Sequence, residues 1–97
     1  MINRRMEYNE RMTSPETILT FYGADWCGSS RSARLFLEQN HVPYRWVDVD
    51  QDESAARTLE GLTGGYRSVP TFVLPDGSVL VEPSRDLLAK KLGLTLP

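Results

Sequence analysis

At 97 residues with 40% hydrophobic side chains, the chain is long enough to enclose one modest core and too short for a second domain. A formal net charge of −2, with both signs interspersed, leaves no electrostatic footprint for nucleic acid or anionic lipid, and no run reaches membrane-spanning length. The single cysteine excludes an intramolecular disulfide and, with no apolar secretory run in residues 1 to 20, points to a reducing, cytoplasmic compartment.

Residues 1–14, "MINRRMEYNERMTS", are polar and aperiodic and read as a flexible N-terminal extension to a domain over 15–97. "TILTFYG", residues 17–23, is rich in β-branched and aromatic types and ends at Gly23, as a buried strand does. From Ser29 to Asn40, the residues Ala33, Phe36 and Leu37 recur at i, i+3, i+4, the period of a helix that buries one face. Pro43 closes that helix's exit. In "YRWVDVD", residues 44–50, Tyr44 and Trp46 alternate as in a second strand, with Val47 or Val49 as further inward positions. "DESAARTLEGLTGG" opens on the cap formers Asp52 and Ser54 and stops at Gly64 and Gly65, which predicts a short helix. Two β-rich runs flank Pro75, Asp76, Gly77 and Ser78 and spell an antiparallel hairpin. A last helix is predicted from the Ser84 cap through an apolar stripe of Leu87, Leu88 and Leu92 to Gly93. The order is β-α-β-α-β-β-α.

Two strands joined through a helix are most simply parallel neighbours with a right-handed crossover, and sites in such sheets gather where strand C-termini meet helix N-termini. Cys27, in "DWCGSS", lies at the first of those junctions. A helix N-terminus offers unsatisfied N–H groups and a partial positive charge, so it favours thiolate over thiol. A free cysteine, with a pKa of ~8.5, is only a few per cent ionised at neutral pH, whereas about 3.5 to 7.5 is typical of this placement. Arg31 and Arg34, in the first turns, either add positive charge or point into water. In "SVPTF", local sequence alone favours the majority trans form before Pro70; a cis Val69–Pro70 bond would open the Val69 backbone to an extended thiol-bearing ligand. His41 has no second potential ligand near it in sequence and reads as a solvated or capping histidine. "DVDQDE", with Asp48, Asp50 and Asp52, lacks the glycine and terminal glutamate of a calcium loop and reads as a polar strand end and helix cap, so no metal site is predicted.

"FYGADWCGSS", "GGYRSVPTFVLPDGS" and "VEPSRDLLAKKLG" together resemble the glutaredoxin branch of the thioredoxin superfamily, most closely mycoredoxin-like and other short bacterial glutaredoxin-like proteins, over about residues 17–93. The resemblance implies an α/β thioredoxin fold, a mixed four-stranded sheet with helices on both faces. It implies a thiol-disulfide oxidoreductase in which Cys27 is the nucleophile and Pro70 is cis. Gly64, Gly65, Asp76 and Gly77 would border the groove for a low-molecular-weight thiol. In that reading Val69 and Pro70 hold the ligand backbone, Trp26 and Tyr66 shape the groove, and Arg67 contacts a substrate carboxylate. Its partners would be the small thiol and thiolated proteins, and a cytoplasmic monomer with no tightly bound cofactor is expected.

Two departures from the family pattern matter. The second cysteine of Cys-x-x-Cys would fall at position 30, where this chain has Ser30, and serine cannot resolve a mixed disulfide. Ser30 is therefore either native to a monothiol cycle or an engineered replacement of cysteine that traps the adduct; in both cases it can hydrogen-bond the sulfur. Glutathione-dependent members commonly carry a lysine shortly before the motif, where this chain has Gly23, Ala24 and Asp25. Asp25 would repel an anionic partner, which brings mycothiol or bacillithiol forward beside glutathione. "CGSS" also resembles the Cys-Gly-Phe-Ser of monothiol glutaredoxins, whose dimers hold a [2Fe-2S] cluster with two external thiols. An iron–sulfur carrier and a non-catalytic docking domain are thus the alternative functions.

Overall fold

Residues 18–94 are described by the structure, a computed structural model; the extension expected over residues 1–14 lies outside them. In chain order the elements are β1 (Leu19–Gly23), α1 (Gly28–Gln39), β2 (Tyr44–Asp48), α2 (Glu53–Thr63), β3 (Thr71–Val73), β4 (Val79–Val81) and α3 (Arg85–Leu92). This is the expected order. The strands form one mixed sheet, β2-β1-β3-β4, in which β1 and β2 are parallel and the other pairs antiparallel.

Strand alternation sends β1 to both faces of that sheet. Leu19 and Phe21 join Phe36 and Leu37 of α1, Phe72 of β3 and Leu88 and Ala89 of α3 in the larger core, while Tyr22 packs on a smaller cluster of Val49, Ala56 and Leu59 under α2. Phe21 is at its centre, with ring centroids 4.5 Å from Phe72, 5.0 Å from Trp46 and 5.6 Å from Tyr44. The fold is therefore the α/β thioredoxin fold, with α1 and α3 on one face and α2 on the other. No described helix is long and apolar enough to cross a membrane.

Local chemistry sets the helix ends. Asp52 caps α2 by accepting from the N–H groups of Ser54 and Ala55, and Ser84 caps α3 by accepting from Leu87. Gly64 and Gly93 end those helices in left-handed backbone, φ 81° and 74°. Three expectations shift. α1 begins at Gly28, one residue early, because Cys27 itself is the N-cap. β2 stops at Asp48, whose carboxylate accepts from the Asp50 N–H at 2.9 Å and turns the chain. On α3, Leu87 is 40% exposed and Ala89 takes its place in the core beside Leu88, because the buried face lies one residue further along than the stripe suggested.

Candidate active site

All four strands bring one end to the same side of the molecule. Gly23 of β1 lies beside Asp48 of β2, β3 starts with Thr71 opposite Tyr22, and β4 returns to Val81 opposite Thr71. The segments 24–27, 49–52, 69–70 and 82–84 therefore converge. Backbone bonds tie them together: Val49 N–H donates to the Gly23 carbonyl at 3.0 Å, and Glu82 N–H to the Pro70 carbonyl at 2.8 Å. Gly23 is required by close approach, since a Cβ there would lie 2.6 Å from the Trp46 ring and 3.0 Å from Ser30 Oγ.

Past Gly23 the chain turns into α1. Cys27 N–H donates to the Ala24 carbonyl at 3.1 Å, and the Cys27 carbonyl accepts the first helical bond, from Arg31 N–H at 3.0 Å. With extended backbone at φ −82° and ψ 119°, Cys27 caps the helix through its main chain and uses no side-chain cap bond. Its sulfur stays available for chemistry, half-buried and 4.0 Å from the Val69 carbonyl oxygen. The Val69–Pro70 bond is cis, as the family resemblance implied and against the local expectation.

The thiol is held below its ordinary pKa. Burial works to raise it, and the Ser30 hydroxyl, the N–H groups of Ser30 and Ser29 and the Arg31 charge together outweigh burial. Ser30 is wholly buried and its Oγ accepts from Ala24 N–H at 3.3 Å, which leaves its own proton to donate toward the sulfur. The two arginines divide the work. Arg31 donates to the Asp25 carbonyl at 2.9 Å and acts on the thiolate, whereas Arg34 pairs with the Asp25 carboxylate at 3.3 Å and lies 4.1 Å over the Trp46 ring. Arg34 also reaches Tyr44, whose buried phenol is pushed up in pKa by burial and by the Glu38 carboxylate it donates to.

The predicted rim residues separate into two sets. Trp26 is 69% exposed beside the nucleophile, and its indole N–H donates to the Asp50 carboxylate; the Val69 carbonyl faces the thiol, and Pro70 lines the neighbouring cleft. Tyr66, 68% exposed, is held through its backbone by the Thr63 hydroxyl. Arg67 has its guanidinium bonded to Glu60 and Glu53 of α2, so it is already engaged by two carboxylates. Asp76 and Gly77 require a correction. They form the β3–β4 turn, and because β3 runs antiparallel to β1 that turn lies at the end of the sheet opposite Cys27. Gly64 and Gly65 serve to terminate α2.

A cleft of about 770 Å³ opens beside the nucleophile, lined by Ser29, Pro70, Glu82 and Arg85, with Phe36 and Phe72 among its apolar residues. Sequence reasoning missed Asp50, Glu82 and Arg85. The signal was the topology itself, since residues just past β2 and β4 must return to the end of the sheet where Cys27 sits. Among the described residues, no group of three or more His, Cys, Asp or Glu side chains is placed to hold a metal ion.

The glutaredoxin family model matches residues 19–79. A glutaredoxin-designated protein of Mycobacterium tuberculosis is 38% identical over 74 residues, 76% of this chain and 88% of that protein. Mycoredoxin 1 of Corynebacterium glutamicum is 36% identical over 73 residues, 74% of this chain and 90% of its own length. A solved variant of a thioredoxin-like protein superposes with a TM-score of 0.72 at 28% identity, covering 79% of this chain and 96% of the other. The fold alone is shared with the glutaredoxin of Archaeoglobus fulgidus, at a TM-score of 0.69 and 18% identity over 88% of this chain and 91% of that one. A thiol of lowered pKa at a helix N-terminus, a cis Val-Pro segment facing it and these similarities agree: the chain belongs to the glutaredoxin family of thiol-disulfide oxidoreductases, which use a low-molecular-weight thiol as co-substrate.

Proposed function

We propose that the protein reduces mixed disulfides between proteins and a low-molecular-weight thiol by a monothiol cycle through Cys27. The Cys27 thiolate attacks the small-thiol sulfur of the mixed disulfide, forming a new S–S bond as the protein leaves as its thiolate and takes up a proton. A second molecule of small thiol, as thiolate, attacks the adduct at its small-thiol sulfur. The symmetric small disulfide departs and Cys27 is again a thiolate. The electron pair that frees the protein thiol comes from the second small thiolate; the first small-thiol sulfur is in a disulfide before and after, and Cys27 returns unchanged.

The observation that carries this reading is the pairing of a low-pKa thiol with a buried serine at the resolving position. Ser30 stabilises the thiolate and has no sulfur with which to displace the adduct. Val69 and Pro70 receive the ligand backbone, and Trp26, Tyr66 and Arg67 form the rim, Arg67 through shape because its charge is already matched. The reaction is assigned to the cytoplasm, where thiols are kept reduced, and to a monomer.

The test is intact mass after mixing reduced protein separately with the disulfides of glutathione, mycothiol and bacillithiol at neutral pH. A rapid gain of one thiol from one of them, absent in Cys27→Ala, is expected and names the co-substrate. No gain with any of the three would overturn the cycle and leave the cluster carrier or docking domain as the function of the "CGSS" site.

A further inference from the structure

Asp25 presents a problem that the site must solve. Asp25 is two residues from the nucleophile, with its Cα at most about 7 Å from that of Cys27, and a negative charge in this part of the site opposes the thiolate and any anionic disulfide that approaches. The solution lies on α1. Arg34 Nη1 is 3.3 Å from Asp25 Oδ1, its guanidinium carbon is 4.1 Å from the Trp46 ring centroid, and its Nε donates to the Tyr44 hydroxyl at 3.5 Å. Exposed ion pairs are usually weak because two long side chains must be ordered. Here the cation is seated on an aromatic ring and the buried Tyr44 phenol from β2, so much of its order is provided before Asp25 arrives. The same ring abuts Gly23, at the start of the turn that leads to Cys27.

We propose that Arg34 is a positioning residue of the redox site: it fixes the Asp25–Cys27 turn against β2 and cancels the Asp25 carboxylate beside the nucleophile. This reverses the expectation that Asp25 would turn anionic partners away, because its charge is matched within the fold. It deepens the monothiol reading by saying which disulfides the site admits, but its primary test does not depend on that reading. The other charged groups around Arg34 and the turn are Arg31 and Glu38 on α1, Glu38 accepting from the Tyr44 hydroxyl, Asp50 holding Trp26 from the loop after β2, and Glu82 and Arg85 across the cleft. All of them are kept in every variant below.

The experiment is the pH profile of Cys27 alkylation by iodoacetamide, a neutral reagent that reads the thiolate alone, in Arg34→Met, Arg34→Lys, Asp25→Asn and the double variant Asp25→Asn with Arg34→Met. An uncompensated charge at this range in a wet site changes a thiolate equilibrium by about threefold to sevenfold. Arg34→Met is expected to slow alkylation below neutral pH by that factor and to move the profile to higher pH, with Arg34→Lys between it and the wild type. Asp25→Asn alone is expected to move the profile the other way, and the double variant to return to the wild-type rate within about twofold. As a second readout, Arg34→Met should slow reaction with the dianionic disulfide of 3-mercaptopropionate more than with neutral hydroxyethyl disulfide. If Arg34→Met leaves the profile unchanged, or if the double variant is as slow as Arg34→Met, the charge-cancelling role is refuted. Should Arg34→Met fail to fold, Arg34→Gln, which removes the charge and keeps a hydrogen-bonding side chain, takes its place in both the single and the double variant. Failure of both disulfides to react, with the alkylation shifts intact, would overturn the monothiol cycle and leave Arg34's role standing.

Discussion

Replacing Ser30 by alanine tests the site where stability and chemistry meet. Ser30 is wholly buried, and its Oγ accepts from the Ala24 N–H, which is itself buried in the turn before the nucleophile. Alanine fits the space but leaves that N–H unpaired, a cost of about 1–3 kcal/mol. The bond is long at 3.3 Å, which places the expected loss at about 1–2 kcal/mol. In a domain of this size each kcal/mol lowers the unfolding midpoint by about 4–8 °C, so a fall of roughly 4–16 °C is expected by calorimetry or circular dichroism. The thiolate also loses a donor. Because the folded-state pKa of Cys27 is lowered, the thiolate contributes stability that is fully present above the ordinary thiol pKa and is lost as pH falls through the lowered one. Ser30→Ala narrows that window from below. Alkylation by a neutral reagent should therefore slow below neutral pH and converge with the wild type in alkali. A variant that melts within about 1 °C of the wild type and alkylates with the same pH profile would refute the role given to this hydroxyl.

Two further outcomes follow from the geometry. Gly23→Ala places a Cβ 2.6 Å from the Trp46 ring and 3.0 Å from Ser30 Oγ, so one of them must move; a loss of about 1–3 kcal/mol by denaturant titration and slower alkylation are expected. Asp52→Ala removes the cap of α2, and the wild-type advantage should depend on pH. The Asp52 carboxylate is held low chiefly by the Ala55 N–H and then by Ser54, so that advantage is complete above the ordinary carboxylate pKa and disappears as pH falls through the lowered one. Thermal unfolding of both proteins at neutral pH and at about pH 2 measures it.

Much of this was legible in the chain because local chemistry and global fold agree. Asp52, Ser84, Gly64 and Gly93 punctuate helices where their side chains or backbone freedom require it, and the hairpin follows from Pro75 to Ser78. Cys27 was legible from its place after a strand and before a helix. The roles of Asp25, Arg34 and Asp50 were not. Each depends on a partner between 9 and 24 residues away: the turn into α1 brings Asp25 onto Arg34, and the parallel pairing of β1 with β2 brings Asp50 to Trp26. Arg31 and Arg34 are three apart on one helix and look equivalent in sequence, yet one acts on the thiolate and the other on a carboxylate. Asp76 and Gly77 were misplaced for a related reason: a family motif names residues, whereas strand direction decides which end of the sheet they occupy.

That division between the ends of the sheet has a use in protein engineering. The chemistry is confined to one end of the strands, and the exposed Pro75–Gly77 tip of the hairpin sits at the other, separated from Cys27 by the length of the strands. A fluorophore, an affinity handle or an inserted peptide attached at the tip extends the hairpin without entering the thiol's surroundings. The fold thus supplies its own tethering point, at which the protein can be immobilised on an electrode or a surface with the nucleophile facing outward.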